Sequence, residues 1–256
     1  MLLYANGCSY TLGHGLTDRI VAPGDSWGTK EDYQYARSHS WPNRVAQLLD
    51  WQCVNDAMPG GSNDRVVRTT LSYLSQHRRY DTFVVIGWTK SFRRELYISE
   101  AKQYLHLGAM REHNISRIQA LLHMDGNRAA QMTDSIMRYG WDVVESQIRY
   151  CTQVLLLSSY LRARGIPYLF INVLAEPTAI DLALGQSSLA CDAHRLYQDI
   201  DWTDFLGYGS SNDRVFERFA ADIPGHSKID DHPNQLAHDQ FARLVHGQVA
   251  ARSQVD

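Results

Sequence analysis

The sequence predicts an α/β fold in three layers, α/β/α, with a parallel central sheet and helices on both of its faces. Three observations predict it. Four short apolar runs are spaced along the chain, with Gly, Asn or Pro at or near their ends, and stretches with helical periodicity fall between them. Near-continuous apolar runs of this length suit strands covered on both faces. Strands alternating with helices argue for a parallel sheet. The chain has 256 residues. At about 100–200 residues per domain, and with no linker, residues 1–256 read as a single domain.

The elements follow in order. Leu2 to Asn6 is the first strand, Gln52 to Asn55 a weaker second, Phe83 to Trp88 the clearest, and Tyr168 to Leu174 the fourth. Between the first two, Val45, Leu48 and Leu49 form one helical stripe behind Pro42, a residue suited to an opening turn. Ser62-Asn63-Asp64 precedes Val66, Val67, Thr70, Leu71 and Leu74, an N-cap followed by an apolar face. Val143 to Arg164 reads as a long helix, with Ile148, Cys151, Leu155 and Tyr160 among its apolar positions, stopped by Gly165 and Pro167. A last helix follows Pro233, with Ala237, Phe241, Leu244 and Val245 inward. Two stretches are insertions on this scaffold, Thr17 to Ser40 and Leu96 to Tyr139. The second reads as mostly polar and helical and carries Arg111, His113, His123 and Arg128. Long additions of this kind build lids or interfaces.

Composition narrows the function classes. Hydrophobic residues at 44% and charged residues at 21% are globular values and exclude a disordered or fibrous chain. Lys plus Arg is 25 against 28 Asp plus Glu, a formal net charge of −3, which argues against nucleic acid or an anionic membrane as main partner. The four cysteines, Cys8, Cys53, Cys151 and Cys191, form no C-x-x-C pair and fit neither a zinc site nor a disulfide framework. Met1 to Ala5 is too short for the core of a signal peptide, and no run approaches the ~20 apolar residues of a membrane span. A cytoplasmic setting is expected.

In open α/β sheets the ligand sits beyond the carboxyl ends of the strands. The residues falling there are informative. After the first strand comes Asn6-Gly7-Cys8-Ser9-Tyr10-Thr11-Leu12-Gly13, after the second Asn55 to Asn63, and after the third Gly87-Trp88-Thr89-Lys90-Ser91. Asp230-Asp231-His232-Pro233-Asn234 lies before the last helix. A hydroxyl nucleophile, glycine-rich backbone donors and an Asp/His pair thus fall at one edge. Acyl transfer needs this set: an imidazole to take the serine proton, an acid to hold its tautomer, and N–H donors for the oxyanion.

This order resembles the SGNH (GDSL-like) hydrolase superfamily in four short blocks spread from Gly7 to His232. Gly7-Cys8-Ser9 stands where that family has Gly-Asp-Ser, with Gly13 as its following glycine. Asn55 to Gly60 is similar to its second block, whose glycine lines the oxyanion hole. Ile86 to Thr89 is similar to its third, normally Gly-x-Asn, and His232-Pro233-Asn234 to its last. The resemblance implies a flavodoxin-like order in the sheet, no metal and no cofactor. It implies a serine esterase acting through an acyl-enzyme on a small-molecule or carbohydrate acyl ester. Acyl transfer on the same machinery, or a binding module that kept the fold, are the alternatives.

The roles carried over are Ser9 as nucleophile, His232 as base, and the N–H groups of Ser9 and Gly60 as oxyanion donors. Thr89 replaces the family asparagine; either its hydroxyl or the Asn63 amide is the third donor. Ile229 stands where the family acid would be. Pro233 biases His232 to an extended conformation, in which the side chain two residues back shares its side. Asp230 is therefore the expected acid, with a backbone carbonyl or a water as fallback, and Asp231 points away. Cys8, beside the nucleophile, points into the sheet. Outside these blocks, Trp27, Tyr33, Tyr35 and Trp41 read either as loop packing or as a stacking surface for a flat ligand. Arg93, Arg94 and Glu95 read either as an ion-paired surface or as contacts to a charged substrate.

Overall fold

A computed structural model describes residues 1–17, 28–77, 81–108, 110–174, 188–206, 215–224 and 232–253. Its centre is a four-stranded parallel sheet. Strand β1 (Leu2–Asn6) lies between β2 (Gln52–Asn55) and β3 (Thr82–Trp88). A later strand, β6 (Tyr168–Asn172), pairs with the outer side of β3, so the order is β2-β1-β3-β6. This is the flavodoxin-like order expected. The four predicted strands form, the first two with the predicted bounds. The fourth stops two residues early. Val173 N still donates to Trp88 O at 3.0 Å, but β3 ends there, so Val173 and Leu174 continue as core rather than as strand.

Every residue of β1, β3 and β6 is buried, so both faces of the sheet need a cover. Helices α3 (Trp41–Leu48) and α10 (Gln235–Ser253) provide one, with Trp41, Val45, Phe241 and Val245 against Leu3, Phe83, Val85 and Ile171. Helices α4 (Asn63–Gln76) and α7 (Val143–Ala163) provide the other, with Val66, Tyr150, Val154 and Leu157 against Tyr4, Val84, Ile86 and Phe170. Side chains one apart along each strand therefore enter opposite cores, the alternation that makes three layers. The α4 cap is Ser62, as the sequence predicts, accepting from Arg65 N at 3.3 Å. Beyond β6, a single 3-10 turn at Trp202–Asp204 leads to Phe205, which bridges Phe170 in parallel, while Leu206 N donates to Phe170 O at 2.8 Å. Short helices α1 (Ser9–Leu12) and α9 (Phe216–Ala221) lie near the strand ends, and α8 is Ser188–Asp199. No helix among the described residues is long and apolar enough to cross a membrane.

The two insertions differ. The first contributes α2 (Lys30–His39), opened by a capping box between Thr29 and Asp32. The second is not all helical. It begins with an antiparallel hairpin, β4 (Arg94–Ile98) and β5 (Gln103–Leu107), then continues as α5 (Arg111–Leu122) and α6 (Gly126–Tyr139). Leu105, Leu107, Ile118 and Ala129 give it a small core of its own.

One contact joining α3 to α10 makes stability pH-dependent. Trp41 N donates to Nδ1 of His238, whose ring is fully buried and meets Phe216 edge-on at 5.0 Å. Burial, and then the nearby His232, hold the His238 pKa down at about 3. The unfolded chain takes up this proton near pH ~6.5, whereas the folded chain does not until about 3. The contribution of the neutral ring is thus complete above that upper value and is lost as pH falls through the window. In His238→Asn, where Oδ1 can accept from Trp41 N, the decline of urea-unfolding stability from pH 6.5 to 4 should be shallower by about 1 kcal/mol per pH unit. Equal slopes in parent and variant would contradict the neutral buried ring.

Candidate active site

Three turns at the carboxyl edge of the sheet meet around one threonine. After β1 the chain must turn sharply at Gly7, where a β-carbon would lie 2.3 Å from Thr11 Oγ1. Gly87 on β3 is equally constrained, its absent β-carbon falling 2.2 Å from the same oxygen. The turn is held from the side by Asn6, which accepts from Gly7 N at 2.8 Å and donates to Thr69 Oγ1 at 2.8 Å. Cys8, in extended conformation, caps α1 and is buried in the core, as expected for a side chain pointing into the sheet. Ser9 opens the helix, and its carbonyl accepts from Gly13 N and His14 N at 3.0 and 2.9 Å. Gly13 ends that turn at φ +90°. Ser9, only 6% exposed, lines a cleft of about 460 Å3.

The turn after β2 packs on the first. Asn55 donates to Thr11 O and Ser40 Oγ, both at 3.0 Å, and Met58 N donates to Gly7 O at 3.2 Å. Gly60 then lines the same cleft, at φ +68°, with Nη2 of Arg117 2.8 Å from where a β-carbon would be. Any other residue there meets a strained backbone and has to displace the Arg117 guanidinium. His232 completes the wall, its ring 5.0 Å from that of Tyr10 and 4.7 Å from that of His14. Ser9, Gly60 and His232 are thus brought together. Asp230 lies outside the described residues, as do Asp231 and Trp27.

Thr89 and Asn63 have a different place. Both are buried, at 3% and 2% exposure, and neither lines the cleft. Asn63 accepts from Thr89 N at 2.9 Å and donates to Thr89 O at 3.0 Å, so its amide clamps the main chain at the end of β3. The Thr89 hydroxyl accepts from Nη1 of Arg93 at 3.0 Å. The amide expected to face an oxyanion is engaged with backbone instead, because the start of α4 lies against the end of β3.

The charged run after β3 divides. Arg94 pairs with Glu145, and Glu95 with Arg68 at 2.7 Å, the ion-paired alternative. Arg93 turns into the cleft. From the second insertion His113 and Arg117 reach it as well, whereas Arg111 pairs with Asp134 at 2.6 Å and Arg128 with Asp125 at 3.5 Å. Glu217 also lines it, with Lys90 Nζ at 4.0 Å. Of the aromatic group, Trp41 is core and Tyr35 stacks on His39 at 3.9 Å, the packing alternative. Among the described residues no group of three His, Cys, Asp or Glu converges as a metal site.

A family model, that of DUF6071, a family of unknown function, matches residues 24–255. No curated protein matches the chain. Solved structures similar to it include TesA, at 14% identity over 98% of this chain and 99% of that one, with a TM-score of 0.48. The psychrotrophic esterase EstA from Pseudoalteromonas sp. is similar at 11% identity, 98% and 97% coverage and a TM-score of 0.46. A carbohydrate esterase family 2 enzyme with a carbohydrate binding domain, from Corynascus thermopiles (Myceliophthora fergusii), is similar at 13% identity, 98% and 66% coverage and 0.48.

The clamp on Thr89 is measurable. Asn63→Ala leaves a buried N–H and a buried carbonyl without partners and should cost about 2–3 kcal/mol in denaturant unfolding. Thr89→Val removes only the hydroxyl and keeps the clamped backbone, so it should cost less than about 1 kcal/mol. The reverse ranking would show that the Thr89 side chain, not its main chain, is what Asn63 holds.

Proposed function

The chain belongs to the DUF6071 family, and we propose that it is a serine-dependent ester hydrolase acting through an acyl-enzyme on a small-molecule or carbohydrate acyl ester. The observation that carries this reading is the meeting of Ser9, Gly60 and His232, from opposite ends of the chain, on one cleft. A serine hydroxyl is a weak nucleophile until a base takes its proton. His232 supplies that base. As Ser9 Oγ bonds to the carbonyl carbon, its proton passes to the imidazole, and the carbonyl oxygen takes the negative charge. The N–H groups of Ser9 and Gly60 stabilise that oxyanion; preorganised donors of this kind are worth about 3–4 kcal/mol each. The tetrahedral intermediate collapses, the ester C–O bond breaks, and the imidazolium protonates the leaving alcohol. Water then attacks the acyl-enzyme, gives a proton to His232, and Ser9 recovers it as the acid leaves. Asp230 is the proposed partner that orients the imidazole, on the sequence argument from Pro233. Thr89 and Asn63 hold the end of β3 and Arg93 behind the oxyanion site. Nothing in these steps calls for a metal or a cofactor.

Acyl transfer, with an alcohol replacing water, is favoured by one feature. Gly108, Met110, His113 and Arg117 of the second insertion close one side of the cleft, which limits water. Product analysis with an added alcohol acceptor separates the two outcomes.

Ser9→Ala should lower kcat on a short 4-nitrophenyl ester by several orders of magnitude, with an unchanged circular dichroism spectrum. Dialysis against a strong chelator should leave the parental rate intact. Near-parental turnover in the variant would dismiss Ser9 as the nucleophile. Asp230→Asn should lower kcat by on the order of 10–10³, the loss of the 10⁴ seen in the protease triad being softened by a carbonyl or water standing in. Asp231→Asn should be close to neutral. A crippled Asp231→Asn would reverse the assignment.

A further inference from the structure

Two guanidinium groups enter the cleft without a carboxylate among the described residues to meet them. Arg117 is half-buried on α5, its Nη1 donates to His106 O at 2.9 Å, and its Nη2 crowds Gly60. Arg93 follows β3, donates to Thr89 Oγ1 at 3.0 Å, and reaches Gly61 O at 3.5 Å. Among the described residues neither lies within ion-pair distance of an Asp or Glu. Other arginines around the same helices do: Arg65 pairs with Asp56, Arg68 with Glu95, Arg94 with Glu145 and Arg149 with Asp64. Burial, and then the charge of Arg93, hold the Arg117 pKa below its ordinary value. Two like charges side by side in a half-buried wall carry a cost that a bound anion offsets. Among the described residues Glu217 is the one acidic side chain of the lining, and Lys90 lies beside it.

We propose that Arg93 and Arg117 form an anion subsite next to the oxyanion glycine, so that the preferred esters carry a carboxylate or phosphate close to the scissile carbonyl. The ester part of this statement rests on the reading of Ser9 and His232 above; the anion part does not. A guanidinium presents a planar fork of donors that matches a carboxylate or phosphate in pairs. Gly60 is crowded by one such fork, so the charged group of the ligand is drawn to the wall where the carbonyl oxygen would lie.

The test compares 4-nitrophenyl hydrogen glutarate with 4-nitrophenyl valerate, which have the same acyl length and differ in terminal charge. The ratio of kcat/KM, anionic over neutral, should be on the order of 10–100 in the parent, the range expected for hydrogen bonds to a charged group. It should fall toward one in Arg93→Gln and in Arg117→Gln and be partly kept in Arg117→Lys. Arg111→Gln, on the same helix but paired with Asp134, should leave the ratio unchanged. A parental ratio near one, or a ratio kept in both glutamine variants, overturns the subsite. A fall of both substrates by the same factor keeps the ratio and overturns it too, assigning Arg117 to the reacting carbonyl. Calorimetric titration of the Ser9→Ala protein with glutarate and with inorganic phosphate tests the anion without any turnover. Saturable binding of either, weakened at least tenfold by adding Arg117→Gln, supports the subsite, and the probe that binds names carboxylate or phosphoryl chemistry. No saturable binding of either overturns it. Should Ser9→Ala turn over esters as fast as the parent, the hydrolase reading falls, and the titration alone decides the subsite.

Discussion

The Thr11 side chain occupies a space that exists only because Gly7 and Gly87 lack β-carbons. The two would-be carbons fall 2.3 and 2.2 Å from one oxygen; at Gly7 the added carbon would also meet Thr11 Cβ at 2.8 Å and Gly87 O at 2.9 Å, so that position accepts no other residue without moving the backbone, while at Gly87 the Thr11 hydroxyl would have to leave its seat. The consequences run outward from there. With Thr11 seated, its carbonyl takes the Asn55 amide at 3.0 Å, which ties the end of β2 to α1. The turn after β2 then packs on Gly7, and Ser9 and Gly60 come to one wall. Three loops far apart in sequence are thereby placed by one close approach, with little freedom left for the groups that would do chemistry. That is how a rigid scaffold limits the reorganisation a reaction requires.

Another part of the cleft lining is built by different physics. The second insertion carries its own small core and reaches the cleft through side chains of α5 and the residues before it. Its contribution is charge rather than backbone donors. Arg117 arrives over Gly60 from this side, while Arg93 arrives from the sheet edge, braced by the Thr89 hydroxyl. Asn63 and Thr89, which sequence reasoning assigned to the oxyanion, hold up this second group. Their burial and mutual bonding make them a foundation for the wall rather than part of its surface.

The central sheet was legible because its strands are buried on both faces and therefore written as uninterrupted apolar runs between turn residues. The α4 cap and the long α7 were legible for a similar reason: each carries a local stop or start signal that does not depend on the rest of the chain. The β4–β5 hairpin was not. Only Leu105 and Leu107 of its ten residues are buried, and the alternation of Leu96 with Ile98 and of Leu105 with Leu107 spans just two five-residue runs set among Arg94, Glu95, Gln103 and His106, too short to stand out. Ser9, Gly60 and His232 could be found from order along the chain, since the strand ends of an open sheet collect at one edge. Arg117 could not. Its significance lies in the approach of a helix to a glycine turn in another part of the sequence, and no local pattern marks it. Of the two readings of Arg93, Arg94 and Glu95, the ion-paired one holds for Arg94 and Glu95, while Arg93 faces the cleft, because adjacent side chains of that turn face different neighbours.

The way the sheet ends at β6 bears on a matter separate from catalysis. An edge strand offers a row of unpaired donors and acceptors to any other extended chain. Beyond β6, Phe205 bridges Phe170 in parallel and Leu206 N takes the Phe170 carbonyl at 2.8 Å, so the middle of that edge is already occupied by the chain itself. At the other margin β2 is only four residues long and too short to template a long pairing. The central sheet is thus closed to growth at both sides by brevity and by self-capping, and two copies of this molecule have little backbone there through which to join into a larger sheet.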